Sequence, residues 1–170
     1  GRWATTRGLP RVAGHKQGAD TVERIVRAAA DRGVKYLTLF AFSTENWKRT
    51  QEEVGYLMDL LEWSLKNDIE EFHQKGIRLR VIGRREGLRP SIIEGIERAE
   101  EKTKNNTKIT LVIALNYGGR AEIVDAVQKI IRAGVKAEDV DEAVLASMMY
   151  WSDMPEPDLI IRTSGEERLS

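Results

Sequence analysis

Residues 43–49 read Ser-Thr-Glu-Asn-Trp-Lys-Arg: two hydroxyls, a carboxylate, an amide, an indole and two cations in unbroken succession. They follow directly on Leu37–Phe42, an apolar run rich in β-favouring residues. A strand that ends in such a set of donors and acceptors suits the handling of a charged ligand. Three other apolar runs end alike, in "GRREG" (83–87), "NYGGR" (116–120) and "RTSGEERLS" (162–170). The first eighteen residues add Arg2, Arg7, Arg11 and His15 ahead of a helical pattern. Guanidinium groups pair bidentately with phosphate oxygens, and helix N-termini favour anions. The chemistry these residues suit is the binding of a multiply phosphorylated ligand along one rim.

The elements that must position them alternate along the chain. Asp20–Gly33 has Val22, Ile25, Val26 and Ala29 at helical spacing, with Gly33 as the stop. Tyr36–Phe42 reads as a strand, and Glu52–Phe72 as a long helix carrying Val54, Leu57, Met58, Leu61, Leu65 and Ile69. Ile77–Gly83 is a second strand, and Ser91–Lys104 a helix with Pro90 in its first turn. Lys108–Asn116 is almost wholly apolar, as a strand covered on both faces should be. Ala121–Ala133 and Asp141–Met149 read as helices, and Asp158–Arg162 as a last strand. This order predicts one α/β domain over residues 1–170, with a mostly parallel central sheet and helices on both faces. In such sheets ligands bind outside the carboxyl ends of the strands, where the polar segments fall.

Composition narrows the classes. Lys plus Arg number 27 and Asp plus Glu 27, a formal net charge of zero, which argues against a nucleic-acid partner. Cysteine is absent, so disulfides and thiolate metal sites are excluded, in keeping with a reducing cytoplasm. No apolar run approaches the roughly 20 residues that span a bilayer. The P-loop and the G-x-G-x-x-G pattern are both missing, which disfavours a nucleotide-binding module. Ser164 lacks a nucleophile-elbow context and a His–Asp partner. His73 reads as solvated, and Trp63 and Trp151 as packing residues.

Four strings in order, "GRWA…RGLPR…GH", "FSTENWKR", "NYGGR" and "DLIIRTSGE.RLS", resemble the cis-prenyltransferases, with bacterial undecaprenyl diphosphate synthase nearest. The resemblance implies sequential Z-condensation of isopentenyl diphosphate onto an allylic diphosphate such as farnesyl diphosphate, assisted by Mg²⁺. It implies a polyprenyl diphosphate product, with undecaprenyl diphosphate for cell-wall lipid carrier synthesis as the default. It further implies a homodimer in the cytoplasm in transient contact with the inner leaflet. Carried over by position, Gly1, Arg2, Arg11 and His15 would hold the allylic diphosphate. Trp3 and Trp47 would flank the substrates, Ser43, Thr44 and Glu45 would line the pocket, and Asn46 would serve in proton removal. An amide is a weak base, so Asn46 is read as positioning the proton acceptor. Asn46, His15 and Arg2 are thus the expected catalytic residues. Arg49 would stand at the start of a mobile lid that Glu53 helps close. Arg162, Arg168, Leu169 and Ser170 match the isopentenyl diphosphate site. Leu57, Leu60, Leu61 and Leu65, with Ala41 and Ile109 from strands, would line a tunnel for the growing chain.

The chain begins at Gly1, where the family has an Asp-Gly-Asn segment immediately upstream. It is therefore expected to lack the family's first strand, its catalytic Asp and its C-terminal part, and to be inactive as an isolated segment. Glu167 is the one metal-ligand candidate it contributes. The alternative reading is a non-catalytic partner subunit of a heteromeric enzyme, against which the retained His15, Asn46, Arg162 and Arg168 argue.

Overall fold

The computed structural model describes residues 2–163 and 165, without the side chains of Arg2, Arg11, Val12 and Lys16. It divides into two compact units, Gly1–Glu122 and Ile123–Ser170. In the first, helices α1 (Arg2–Thr5) and α2 (Arg11–Asp31) lead into strand β1 (Tyr36–Ser43) and a 3₁₀ turn, Thr44–Lys48. Helices α3 (Gln51–Asn67) and α4 (Ile69–Gln74), strand β2 (Ile77–Ile82), helix α5 (Pro90–Thr103) and strand β3 (Ile109–Tyr117) follow.

The strands form one parallel sheet in the order β1-β3-β2. β3 is central because its sequence allows it: Leu111, Val112, Ala114 and Leu115 are all at most 2% exposed, so both of its faces are covered. Val26 of α2, Ile69 of α4 and Ala99 of α5 pack with Ile77, Leu79, Ile109 and Leu111 in one core cluster. Met58 of α3 with Ile92 and Ile96 of α5 packs on Phe42 and Leu115 in a second. Leu65 touches both.

β1 meets β3 in register from Tyr36↔Thr110 to Phe40↔Ala114, then skips a residue so that Phe42 faces Leu115. This bulge leaves Ala41 exposed and turns Phe42 inward, to 2% exposure, where strict alternation would have placed Ala41. The outer edge of β2 is closed by α5 and the loop after it. Thr103 Oγ1 accepts from Leu79 N–H at 3.0 Å, Glu100 Oε1 accepts from Val81 N–H at 2.7 Å, and Asn106 Nδ2 donates to Ile77 O at 2.7 Å.

Several expectations are corrected. α2 begins at Arg11, not Asp20, so the Arg11–His15 stretch lies inside its first turns, behind an extended Pro10. Gly14 and Gly18 weaken the helical pattern in sequence, and the helix forms across them. Ile25 is 47% exposed, while Val22, Val26, Ala29 and Ala30 make the packed face. The long helix over 52–72 breaks at Asp68, which lets Ile69 and Phe72 turn into the first cluster while α3 serves the second. Residues 158–162 form no strand among the described residues. Leu159, Ile160 and Ile161 are extended-chain formers by type, but a strand exists only through ladder bonds to a neighbour, and these three are 62–77% exposed.

In the second unit, helix α6 (Gly119–Arg132), which starts within the first, buries Ala126 and Ile130. Helix α7 (Glu142–Ser147) is capped by Asp141, whose carboxylate accepts from Val144 N–H at 2.8 Å. Tyr150 donates to Asp125 Oδ2 at 2.5 Å, and Lys129 donates to Met148 O at 2.8 Å. Among the described residues no helix is long and apolar enough to cross a membrane.

Candidate active site

The carboxyl ends of all three strands are polar and bonded to one another. β1 ends at Ser43, which caps the 3₁₀ turn reciprocally: its hydroxyl accepts from Asn46 N–H while Asn46 Oδ1 accepts from Ser43 N–H at 3.1 Å. The amide oxygen of Asn46 is thereby spent on the backbone. Its Nδ2 remains as a donor. Thr44 lies against Gly118 so closely that a Cβ there would stand 2.7 Å from its hydroxyl, so the first glycine of "NYGGR" makes room for the turn after β1. Glu45 is exposed.

Trp47, 36% exposed, turns its indole N–H toward the protein. Its indole Nε1 donates to Asn116 Oδ1 at 2.7 Å, and its ring meets Phe42 edge-on at 5.0 Å. Asn116, 4% exposed at the end of β3, holds a left-handed backbone (φ 49°) and donates from Nδ2 to Arg84 O (3.2 Å) and Glu86 O (2.9 Å). One side chain thus joins the ends of β1, β2 and β3. One residue on, Tyr117 donates to the buried Glu122 Oε2 at 2.6 Å, and burial followed by that carboxylate raises the phenol far above its usual range.

Just past Trp47, a guanidinium and an imidazole share one carboxylate oxygen. Glu53, in the first turn of α3, accepts from Arg49 Nη1 at 2.8 Å and stands 3.3 Å from His15 Nε2 of α2. The side chains of His15 and Glu53 are only 17% and 11% exposed, whereas that of Arg49 is 35% exposed. Burial pulls the His15 imidazole below its ordinary value, opposed by the hydrogen bond to Glu53. Glu53 thus gathers a guanidinium and an imidazole from two elements onto one partly buried carboxylate.

The structure brings His15, Ser43, Thr44, Glu45, Asn46, Trp47, Arg49 and Glu53 onto one run of chain and the helix beside it. Other expected groups are used differently. The Arg7 guanidinium stacks 4.6 Å over the Trp3 ring and donates to Trp3 O, leaving Trp3 43% exposed. Arg85 turns back to donate to Val81 O at 3.0 Å, facing the charges of Glu97 and Glu100. Arg7 and Arg85 thus satisfy the protein's own carbonyls. Leu57, Leu61 and Leu65 pack on the second cluster, Ile109 is buried in the first, and Ala41 stands exposed on the bulge. Leu60 is half-buried on α3. Arg162 is exposed in the second unit. Gly1, Glu167, Arg168, Leu169 and Ser170, and the side chains of Arg2 and Arg11, lie outside the described residues.

Sequence reasoning missed Asn116, taking "NYGGR" for its glycines and arginine. The signal was there: Asn is the side chain that best tolerates a left-handed backbone at a strand end. It also missed the Tyr117–Glu122 pair, which only the start of α6 brings together. Among the described residues no group of three or more His, Asp or Glu gathers to hold a metal ion.

Residues 1–170 match the family model for undecaprenyl diphosphate synthase, a prenyltransferase family. The chain is 51% identical to an isoprenyl transferase of Agrobacterium fabrum over all of its own length and 70% of the relative's. It is 47% identical to an isoprenyl transferase of Thermotoga maritima, of which it covers 74%. Among solved structures, lavandulyl diphosphate synthase from Lavandula x intermedia, in complex with dimethylallyl diphosphate, superposes with a TM-score of 0.92 at 32% identity. That likeness covers 99% of this chain and 75% of the other.

Proposed function

This chain belongs to the undecaprenyl diphosphate synthase family of isoprenyl transferases, and from that premise we propose that it condenses isopentenyl diphosphate onto an allylic diphosphate, farnesyl diphosphate in the first instance, in successive Z-additions. The product of this reading is a polyprenyl diphosphate, undecaprenyl diphosphate for the lipid carrier of cell-wall synthesis. The observation that carries it is the Glu53 carboxylate shared by Arg49 and His15 beside the capped turn at the end of β1.

The parts act as follows in this reading. Arg49 keeps N–H donors beyond the one given to Glu53, and these meet the diphosphate oxygens. His15, held at Nε2 by Glu53, offers Nδ1–H as a second donor from another element only in its imidazolium form, so its part in fixing the anion depends on that protonation. As the allylic C–O bond breaks, charge grows on the departing diphosphate, and donors already in place stabilise it without reorganising. The alkene of isopentenyl diphosphate attacks the allylic carbon, and a proton leaves the new chain. Asn46 orients the acceptor of that proton. Arg2 and Arg11 at the allylic diphosphate, Arg162, Arg168, Leu169 and Ser170 at the isopentenyl diphosphate, and the tunnel residues complete the reading.

Mg²⁺ belongs to the proposal as the family's cofactor, with Glu167 as one ligand. The described residues do not fit a metal centre, since Glu53 is shared with two nitrogen groups and no acidic cluster forms around it; no step is assigned to the ion. A homodimer working at the cytoplasmic face of the membrane, without nucleic acid, completes the assignment.

The test is incubation of the full-length protein with farnesyl diphosphate, labelled isopentenyl diphosphate and Mg²⁺, followed by sizing of the products. A ladder ending at undecaprenyl diphosphate is expected. Absence of any elongated product overturns the reading.

A further inference from the structure

We propose that Asn116 is a positioning residue for the reaction: through the Trp47 indole it locks the turn Thr44–Lys48, which carries the substrate-facing groups, to the β2–α5 loop. This rests on the functional reading above for its catalytic consequence, though not for its geometry.

The case begins with the backbone. Asn116 is the single non-glycine residue with positive φ among those described, at 49°. A side chain in this region costs free energy unless its surroundings hold it there. What holds it is a complete set of bonds. Oδ1 accepts from Trp47 Nε1 at 2.7 Å; Nδ2 donates to Arg84 O at 3.2 Å and Glu86 O at 2.9 Å; the peptide oxygen accepts from Arg84 N–H at 3.2 Å. With 4% of its surface exposed, the amide has water as no substitute partner.

The other end of the lock is equally constrained. Trp47 sits edge-on to Phe42 at 5.0 Å, and its six-membered ring lies 3.6 Å from where a Cβ on Gly87 would be. The indole therefore spans from the last inward residue of β1 to the loop after β2, with Asn116 fixing its rotation. Trp47 is the immediate neighbour of Asn46 and lies two residues before Arg49, so its rotation sets the direction in which both leave the turn. A group that holds others within a fraction of an ångström of working geometry contributes to rate as surely as one that touches substrate.

The amide is needed because Asn116 must accept from an indole N–H and donate to two carbonyls at once. Asn116→Asp would keep the acceptor and present a carboxylate to the Arg84 and Glu86 carbonyls. Asn116→Gly accommodates φ 49° without strain and removes the lock alone.

The experiment follows the Trp47 indole ¹⁵N–¹H resonance and its hydrogen exchange in the wild type and N116G, and steady-state kinetics in these, W47F and the double variant N116G/W47F. The expected result is a shifted, faster-exchanging Trp47 indole in N116G, with kcat about tenfold lower or more and KM for either diphosphate within about threefold. The double variant should be no slower than the slower single one, because both substitutions break one lock. An indole resonance unmoved in N116G overturns the geometry. Displacement of the indole with kcat unchanged, or losses that multiply in the double variant, overturns the positioning role. If no variant, wild type included, makes product from these substrates, the functional reading fails, and with it the catalytic part of this proposal, while the indole measurement still decides the lock.

Discussion

Glu53 has a sequence neighbour, Arg49, and a distant one, His15, on the same oxygen, and their exposures say which contact matters more. The Arg49 pair is an i,i+4 contact with a partly exposed guanidinium, so it adds little to stability. The His15 contact is more buried and has a titration that can be followed. Burial lowers the His15 pKa and the Glu53 hydrogen bond raises it, with burial the larger. E53Q removes the opposing charge, so the His15 midpoint by NMR should fall further below about 6.5; a rise would show that Glu53 does not face the ring as described. Between the folded midpoint and about 6.5 the unfolded chain binds more protons, so this group makes stability increase with pH across that window and costs stability below it. Asn46 gives a second test. N46A breaks the reciprocal cap and should lower stability by about 0.5–2 kcal/mol in urea unfolding, while N46D keeps an acceptor for Ser43 N–H and should lose less. Equal losses would mean that the cap is not what holds the turn.

At the scale of elements, β2 is an edge strand whose outward N–H groups are answered by side chains of α5. Thr103 is fully buried, accepts from Leu79 N–H and donates to Ala99 O at 2.7 Å. T103V keeps the shape and leaves the Leu79 amide without its acceptor, so a loss of about 1–3 kcal/mol is expected, together with faster exchange of that one amide. Retention of full stability would mean that water reaches the edge and that α5 does not seal it. The β2–α5 loop begins at Gly83, with φ 119° and a virtual Cβ only 1.9 Å from Leu115 O. G83A has nowhere to put its methyl without separating the ends of β2 and β3, where Asn116 ties them. It should therefore damage both folding and turnover.

For the whole molecule, the first unit rests on β3, and Leu111 at its centre is fully buried. L111A should cost about 2–5 kcal/mol by denaturant titration. A ligand diphosphate should raise the unfolding midpoint in proportion to RT ln(1 + [L]/Kd), and more weakly in the E53Q variant if Glu53 organises the cations. Much of this was legible in one dimension. Apolar runs of strand length and the helices between them foretold a parallel α/β sheet with polar residues at its carboxyl ends, because periodicity and burial are local demands of the backbone. The resemblance of "FSTENWKR" and "NYGGR" to one family named the reaction class, which the family match bears out. The pairing of side chains far apart in sequence was not legible. Nothing local says that Glu53 meets His15, that Trp47 meets Asn116, that Thr103 seals β2, or that a bulge at Ala41 turns Phe42 inward. Nor could the apolar stretch 158–162 show from its own residues whether a strand would lie beside it. Residue type sets what a side chain can bond to, but only the packed chain decides which partner comes within 3 Å and which is left to water.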